Sequence, residues 1–268
     1  MAKRYNRLLI TGAAGMLGSV MRKELTDVAD IIRLNARKPF DSLADHEEAA
    51  ICDVSDADAV MEMVKDVDAV VHLGGVSRES TFDAILEANI KGVYNLYEAC
   101  RKQGVKRVTW ASSVHAVGFY PTTQVIDTDV PLRPDSNYGV SKAFGEALAQ
   151  YYWDKFGLES VSVRVYSSFP EPSDRRQLNT YLSFRDCAEV FRQSLLAPVT
   201  QHTVIFGVSD NKVKFTSNAK AAHIGYHPQD SSEPFREKVE AATPQPAIDD
   251  KFIATHGGGF AAAGHFED

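Results

Sequence analysis

The apolar run Arg7-Leu8-Leu9-Ile10-Thr11 passes directly into Gly12-Ala13-Ala14-Gly15-Met16-Leu17-Gly18, and residues 19–25 continue with helical character. Strand, turn with glycines three apart, then helix is the order a dinucleotide-binding loop requires. Missing side chains let the backbone approach a pyrophosphate, and the helix N-terminus attracts its charge. That order limits the chain to folds in which a strand delivers its carboxyl end to a helix N-terminus.

The rest of the chain repeats the alternation. Residues 30–34 read as a second strand, 49–54 as a third, 68–73 as a fourth ending in Gly74-Gly75, 105–113 as a fifth and 160–165 as a sixth. Helical segments separate them: residues 81–104 with Gly104 as stop signal, and Tyr138 to Phe156 after the loop 131–136. The expected fold is α/β, a Rossmann-type doubly wound parallel sheet of about seven strands. Residues 1–165 are expected to form the dinucleotide-binding part. Residues 166–268, with a helix at 184–196 and a strand at 203–206, make a small C-terminal substrate-binding region and tail rather than an independent domain. Gly257-Gly258-Gly259 reads as a flexible turn.

Several polar residues stand out against this frame. After the second strand, where an acid commonly holds the adenosine ribose, the chain reads Asn35-Ala36-Arg37-Lys38. Two cations and no carboxylate favour a 2′-phosphate, which Arg37 would pair through its planar fork, so NADP is expected over NAD. Asp53 either accepts from an adenine amino group or caps the helix starting near Asp56. His72, in an apolar strand, reads as a hydrogen-bonded core residue. Asn89, inside a helix, either bridges to a strand or orders a water. Ser112 or Ser113 faces the crevice at the fifth strand's carboxyl end. Tyr138 and Lys142, four apart on one helical face, place an ammonium beside a phenol, where it would lower the phenol's pKa and make it a general base.

Composition bounds the function. With 268 residues, 44% of them hydrophobic and 24% charged, the chain buries a full core. A net charge of -7 argues against nucleic-acid and anionic-membrane surfaces. Cys52, Cys100 and Cys187 have no metal or disulfide spacing, so no metal site is expected and a cytoplasmic location fits. No apolar run reaches membrane-spanning length.

Thr11-Gly-x-x-Gly-x-x-Gly18, Ser113 and Tyr138-x-x-x-Lys142, in that order, resemble the extended short-chain dehydrogenase/reductase family over roughly the first two thirds of the chain. Residues 7–15, 72–77, 94–99, 131–142, 225–233 and the tail from Gly259 are similar to the bacterial uronate dehydrogenases within it. The resemblance implies oxidation of the C1 hydroxyl of a hexuronate, or a related C6-anionic aldose, to the lactone, by a homo-oligomer acting on a small-molecule sugar. It implies Ser113, Tyr138 and Lys142 as catalytic residues. The cofactor set is Gly12, Gly15, Met16, Leu17, Gly18, Ala36, Arg37, Asp53, Val54, Leu73, Gly74, Gly75, Asn89 and Lys142. Ser77, Ser113, Val114, His115, Tyr138, Tyr166, Ser167 and Arg176 would line the sugar, with Arg176 the partner for an anionic C6 group.

Four departures concentrate at the ligand walls. Val114 replaces an asparagine, Tyr166 a glycine and Ala36 an acid, and Lys214-Phe215-Thr216-Ser217 stands where those enzymes carry a Trp-Trp-Asp-Asn segment. They imply an altered ligand specificity. A nucleotide-sugar epimerase or dehydratase and a non-catalytic cofactor-sensing scaffold remain the alternatives. Against the first, only about 125 residues follow Lys142 to build a cap; against the second, the Ser-Tyr-Lys set is intact.

Overall fold

The computed structural model describes residues 4–247 and 250–266; Met1 to Lys3, ahead of the first strand, lie outside them. Seven strands form one parallel sheet: β1 (Tyr5–Thr11), β2 (Ala29–Ala36), β3 (Glu47–Ile51), β4 (Ala69–His72), β5 (Arg107–Ser113), β6 (Glu159–Val165) and β7 (His202–Gly207). Their spatial order is β3-β2-β1-β4-β5-β6-β7. The order reverses between β1 and β4, so a crevice opens outside their carboxyl ends. Because β7 pairs with β6, the C-terminal region completes the sheet as well as extending beyond it.

Both sheet faces are covered, and the strand sequences show it. In β1, Leu8 and Ile10 enter one core with Met21 and Phe191, while Leu9 enters the other with Val70, Val108, Tyr97 and Tyr152. The helices on the first face are α1 (Met16–Glu24) and, later in the chain, the segment Phe184–Leu196; the second face carries α2 (Ala57–Met63). The expected helix over 81–104 is divided. It begins as α3 (Phe82–Ile85), passes through a π turn at Leu86–Lys91 and resumes as α4 (Gly92–Gln103). Gly104 ends it in the left-handed region at φ 73°, as its stop signal predicts. The π turn is where Asn89 sits, and such bulges re-aim a side chain that regular helix would point elsewhere.

The long helix α5 (Asn137–Phe156) packs under β5 and β6, and α6 (Gln177–Thr180), α7 (Phe184–Leu196), α8 (Arg236–Ala242), α9 (Lys251–Ala254) and α10 (Gly259–Ala262) complete the C-terminal region. Beneath the carboxyl end of β5, Arg164 and Glu146 form a buried bidentate pair, Nε to Oε1 and Nη2 to Oε2 both 2.9 Å, and Ser112 donates to Oε1 at 2.6 Å. Ser112 therefore serves the scaffold, which leaves Ser113 as the hydroxyl that faces the crevice. Removing one partner of such a pair strands a charge in the core. Glu146→Ala is expected to lower the urea unfolding free energy by about 3–5 kcal/mol. Glu146→Leu combined with Arg164→Met should recover most of that loss in the same measurement.

Candidate active site

The carboxyl end of β1 is tied to that of β4 by one hydroxyl. Thr11 Oγ1 accepts from the backbone N–H of Leu73 (3.2 Å) and Gly74 (3.1 Å) and hydrogen-bonds His72 Nδ1 at 2.7 Å. His72 is buried, and burial, with Lys142 nearby, pulls its pKa down to about 3. It is a neutral core residue, as its apolar strand predicts. Gly12, at φ 66°, turns the chain so close to β4 that a Cβ would sit 2.8 Å from the Leu73 carbonyl carbon. A Cβ on Gly18 would meet the Gly12 carbonyl oxygen at 2.2 Å. The N-terminus of α1 carries no side-chain cap, so its first-turn N–H groups at Met16, Leu17 and Gly18 fit a pyrophosphate.

At the adenosine end, Ala36 is buried at the close of β2 while Arg37 and Lys38 are exposed. Asp53 accepts from Ser55 N (2.9 Å) and Ser55 Oγ (2.8 Å). These bonds, with Arg37 nearby, hold its carboxyl below the usual range. Of the two roles open to Asp53, the helix cap belongs to Asp56, which accepts from Asp58 N and Ala59 N. Val54 is buried, with its carbonyl held by Asn95 Nδ2 at 3.1 Å.

Asn89 is built into the frame. Its Oδ1 accepts from Val76 N (2.8 Å), and its amide donates to Val76 O (2.9 Å) and Ser141 Oγ (3.1 Å). Both N–H donors are therefore engaged, and a Cβ on Gly75 would meet Oδ1 at 2.6 Å. These bonds form a clamp that fixes the loop after β4 against α5.

Tyr138 and Lys142 lie one turn apart on α5, as their spacing predicts, with Lys142 Nζ 5.2 Å from the Tyr138 ring centroid and donating to Ala111 O at 2.7 Å. Ser113 lies close enough to the phenol to act on its pKa. The expected direction of the phenol's pKa is reversed. Burial pushes Tyr138 up to about 12, Ser113 only partly opposes this, and Asp135 raises it further. Burial also pulls Lys142 down to about 8, with Glu146 opposing. In this desolvated corner both groups shift toward their neutral forms, with burial the largest cause for each.

The sugar end is closed by the C-terminal tail. His115 Nδ1 lies 2.8 Å from Asp135 Oδ2, and its ring stacks on Phe260 at 4.1 Å and meets Tyr138 edge-on at 5.6 Å. Arg176 donates from Nη2 to the His256 carbonyl, whereas its Nε is buried without a partner. Gly258 turns around this guanidinium at φ 59°, where a Cβ would sit 2.4 Å from Nε. His256 is buried and hydrogen-bonded through Nδ1 to the Tyr166 hydroxyl. Val114 and Tyr166 pack in one apolar cluster with Val117, Tyr120, Ile126 and Phe206. Lys214 pairs with Asp210 and lines a neighbouring cavity with Tyr166 and Phe215. Ser167 shares its hydroxyl with Thr180 at 2.9 Å, and Ser77 is exposed on the loop after β4.

Glu79, Asp135, His256 and Phe260 carry no role in the sequence reading. Glu79 accepts from Asn137 N (3.0 Å) and Tyr138 N (2.8 Å) across more than fifty positions, a link no local pattern reveals. Among the described residues no group of three or more His, Cys, Asp or Glu side chains could hold a metal, and no helix is long and apolar enough to cross a membrane.

The model of the NAD-dependent epimerase/dehydratase family matches residues 8–185. The chain belongs to that family. Within it, the chain is 49% identical over 265 residues to a uronate dehydrogenase of Pseudomonas syringae pv. tomato, covering 98% of this chain and 96% of the relative. The crystal structure of a glucuronic acid dehydrogenase from Chromohalobacter salexigens superposes with a TM-score of 0.96 at 46% identity, covering 98% of this chain and 99% of that one. A uronate dehydrogenase from Agrobacterium tumefaciens, solved as a tyrosine-to-alanine mutant complexed with NAD, superposes with a TM-score of 0.94 at 44% identity, covering 98% and 99%. As a member of the extended short-chain dehydrogenases, the chain has the glycine cradle and uncapped α1 that NAD needs.

The lowered Lys142 pKa makes stability depend on pH. Below about 8 the ammonium is present in folded and unfolded chains alike, and the fold carries its full desolvation cost. Between about 8 and the ordinary 10.5 the unfolded chain binds more protons, so stability rises with pH. Urea titrations should show wild type gaining on the order of 1–3 kcal/mol relative to Lys142→Met across that window.

Proposed function

We propose that the chain is an NAD(P)-dependent dehydrogenase that oxidises the C1 hydroxyl of a hexuronate, or a related C6-anionic aldose, to the lactone. Tyr138 takes the hydroxyl proton, and Ser113 donates a hydrogen bond to the C1 oxygen as its charge develops. Lys142 holds positive charge beside the phenol and offers its remaining donors to the nicotinamide ribose. Bound NAD(P) supplies the hydride acceptor for the C1 hydrogen. Phe260 and the tail exclude water from the reacting carbon.

The observation that carries the anionic-sugar reading is Arg176. Arg176 is a half-buried guanidinium whose one hydrogen-bond acceptor among the described residues is the His256 carbonyl, and a carboxylate at C6 is the anion its planar fork would pair with. Arg176 feels the charge of Asp135, the partner of His115, which supports a shared site with His115 and Tyr138. The extent of identity to uronate dehydrogenases supports the same reading.

The finer cofactor preference rests on β2. Ala36 offers no carboxylate to the ribose and Arg37 stands exposed beside it, which supports NADP; Asp53, close enough to feel Arg37, competes for that cation.

A screen of free uronates and aldoses with each cofactor, followed by the near-ultraviolet absorbance of reduced nicotinamide, tests the reaction. Reduction with a uronate is expected, and none with any free sugar would falsify it. Tyr138→Phe should lower kcat by about 10²–10⁴-fold. Arg176→Met should raise KM for an anionic sugar by roughly 10–100-fold while changing that for a neutral aldose by much less. Because Tyr138 is held protonated by burial, kcat/KM should climb on the alkaline side of neutrality. For the cofactor, kcat/KM should be higher with NADP than with NAD, and Arg37→Gln should abolish the difference. Equal or better turnover with NAD in the wild type would contradict the use of Arg37.

A further inference from the structure

We propose that Asp135 is a positioning residue that fixes the tautomer of His115, so that His115 Nε2 accepts a hydrogen bond from the sugar hydroxyl on the carbon next to C1. The inference rests on the sugar dehydrogenase reading and adds a residue to it.

The Asp135 side chain is fully buried and both oxygens are used. Oδ2 meets His115 Nδ1 at 2.8 Å, and Oδ1 accepts from Ser136 Oγ at 2.7 Å. Ser136 Oγ in turn accepts from Gly139 N at 2.9 Å, so the carboxylate is registered to the first turn of α5 that carries Tyr138. Its pocket is walled by crossing backbone: Gly257 N donates to Gly118 O at 2.9 Å, and a Cβ on either glycine would come within 1.8 Å of Oδ2. An ionised carboxylate only accepts, so the proton of this contact belongs to His115 Nδ1. With Nδ1 committed to the carboxylate, Nε2 is the ring nitrogen left to face a ligand, and it has no partner among the described residues.

The ring is also held against rotation. Phe260 stacks on it with 17° between planes, and Tyr138 meets it edge-on at 72°. Since Tyr138 takes the proton from the C1 oxygen, the polar group presented to the adjacent imidazole is the hydroxyl on the neighbouring carbon. Asp135 works against ionisation of Tyr138, because its charge disfavours the phenolate. A buried carboxylate beside the base is thus a burden on the reaction unless it supplies something else, and the Nε2 acceptor is what this geometry supplies.

The test uses the full chain and two readouts. Long-range ¹H–¹⁵N spectra of the wild type at neutral pH should show His115 protonated on Nδ1 and bare on Nε2. Asp135→Asn, whose amide donates to Nδ1, should reverse this. A wild-type His115 carrying its proton on Nε2, or on both nitrogens, overturns the proposal without needing the variant to fold. In kinetics, wild type should prefer D-glucuronate to 2-deoxy-D-glucuronate by about five- to tenfold in kcat/KM. In Asp135→Asn the ratio should collapse to roughly one, the loss falling mainly on KM for D-glucuronate. Equal slowing of both sugars with the ratio preserved would mark Asp135 as merely structural and overturn the proposal. If the wild type oxidises no uronate, the dehydrogenase reading fails, and the tautomer spectra still decide whether Asp135 sets His115.

Discussion

The N-terminus of α5 is the joint on which the site depends. Its first N–H groups are taken by Glu79, reaching in from the loop after β4, and by Ser136. A carboxylate there satisfies orphan donors and complements the positive end of the helix. The same contact fixes three things together: the loop that borders the nucleotide crevice, the rotation of α5 that presents Tyr138 and Lys142, and, through Ser136, the carboxylate that holds His115. Asn89 repeats the coupling one turn further along, from Val76 to Ser141. Ser141 donates to the carbonyl of Tyr138 at 2.7 Å, so both clamps converge on the turn that carries Tyr138 and Lys142.

Desolvation governs the electrostatics of this turn. Lys142 sits between the Trp110 and Tyr138 rings with one carbonyl partner, and the Glu146–Arg164 pair beneath it is self-satisfied. The ammonium therefore loses proton affinity and the phenol gains it, each resisting charge in a dry site. A phenol held in this way stays protonated near neutral pH. The tail, bringing Phe260 over His115 and Gly258 around Arg176, supplies the dry environment in which such charges act strongly.

The sequence reveals what is local. Glycine spacing before α1, apolar runs buried on both faces, the stop at Gly104 and the i, i+4 pair on α5 are dictated by neighbours in the chain, and the fold follows them. It hides what is assembled across distance. Asp135 and Glu79 look like solvated loop acids until the fold places Gly118, Gly257 and the α5 N-terminus against them. The bond from Asn89 to the loop after β4 depends on a π turn, which no sequence pattern signals. The direction of the Tyr138 pKa was also illegible, since spacing reports the nearby ammonium but not the depth of burial. That Val114 and Tyr166 belong to one apolar cluster is likewise visible only in the packed structure.

The central claim is that one site holds a C6-anionic sugar with its reacting end at Ser113 and Tyr138 and its anion at Arg176. It is tested most directly by a crystal structure of the Tyr138→Phe variant with NAD and D-glucuronate. The account expects the carboxylate within hydrogen-bonding distance of the Arg176 guanidinium, the C1 oxygen at Ser113 Oγ and the neighbouring hydroxyl at His115 Nε2. A sugar bound with its carboxylate away from Arg176, or seated in the cavity beside Lys214, would contradict it.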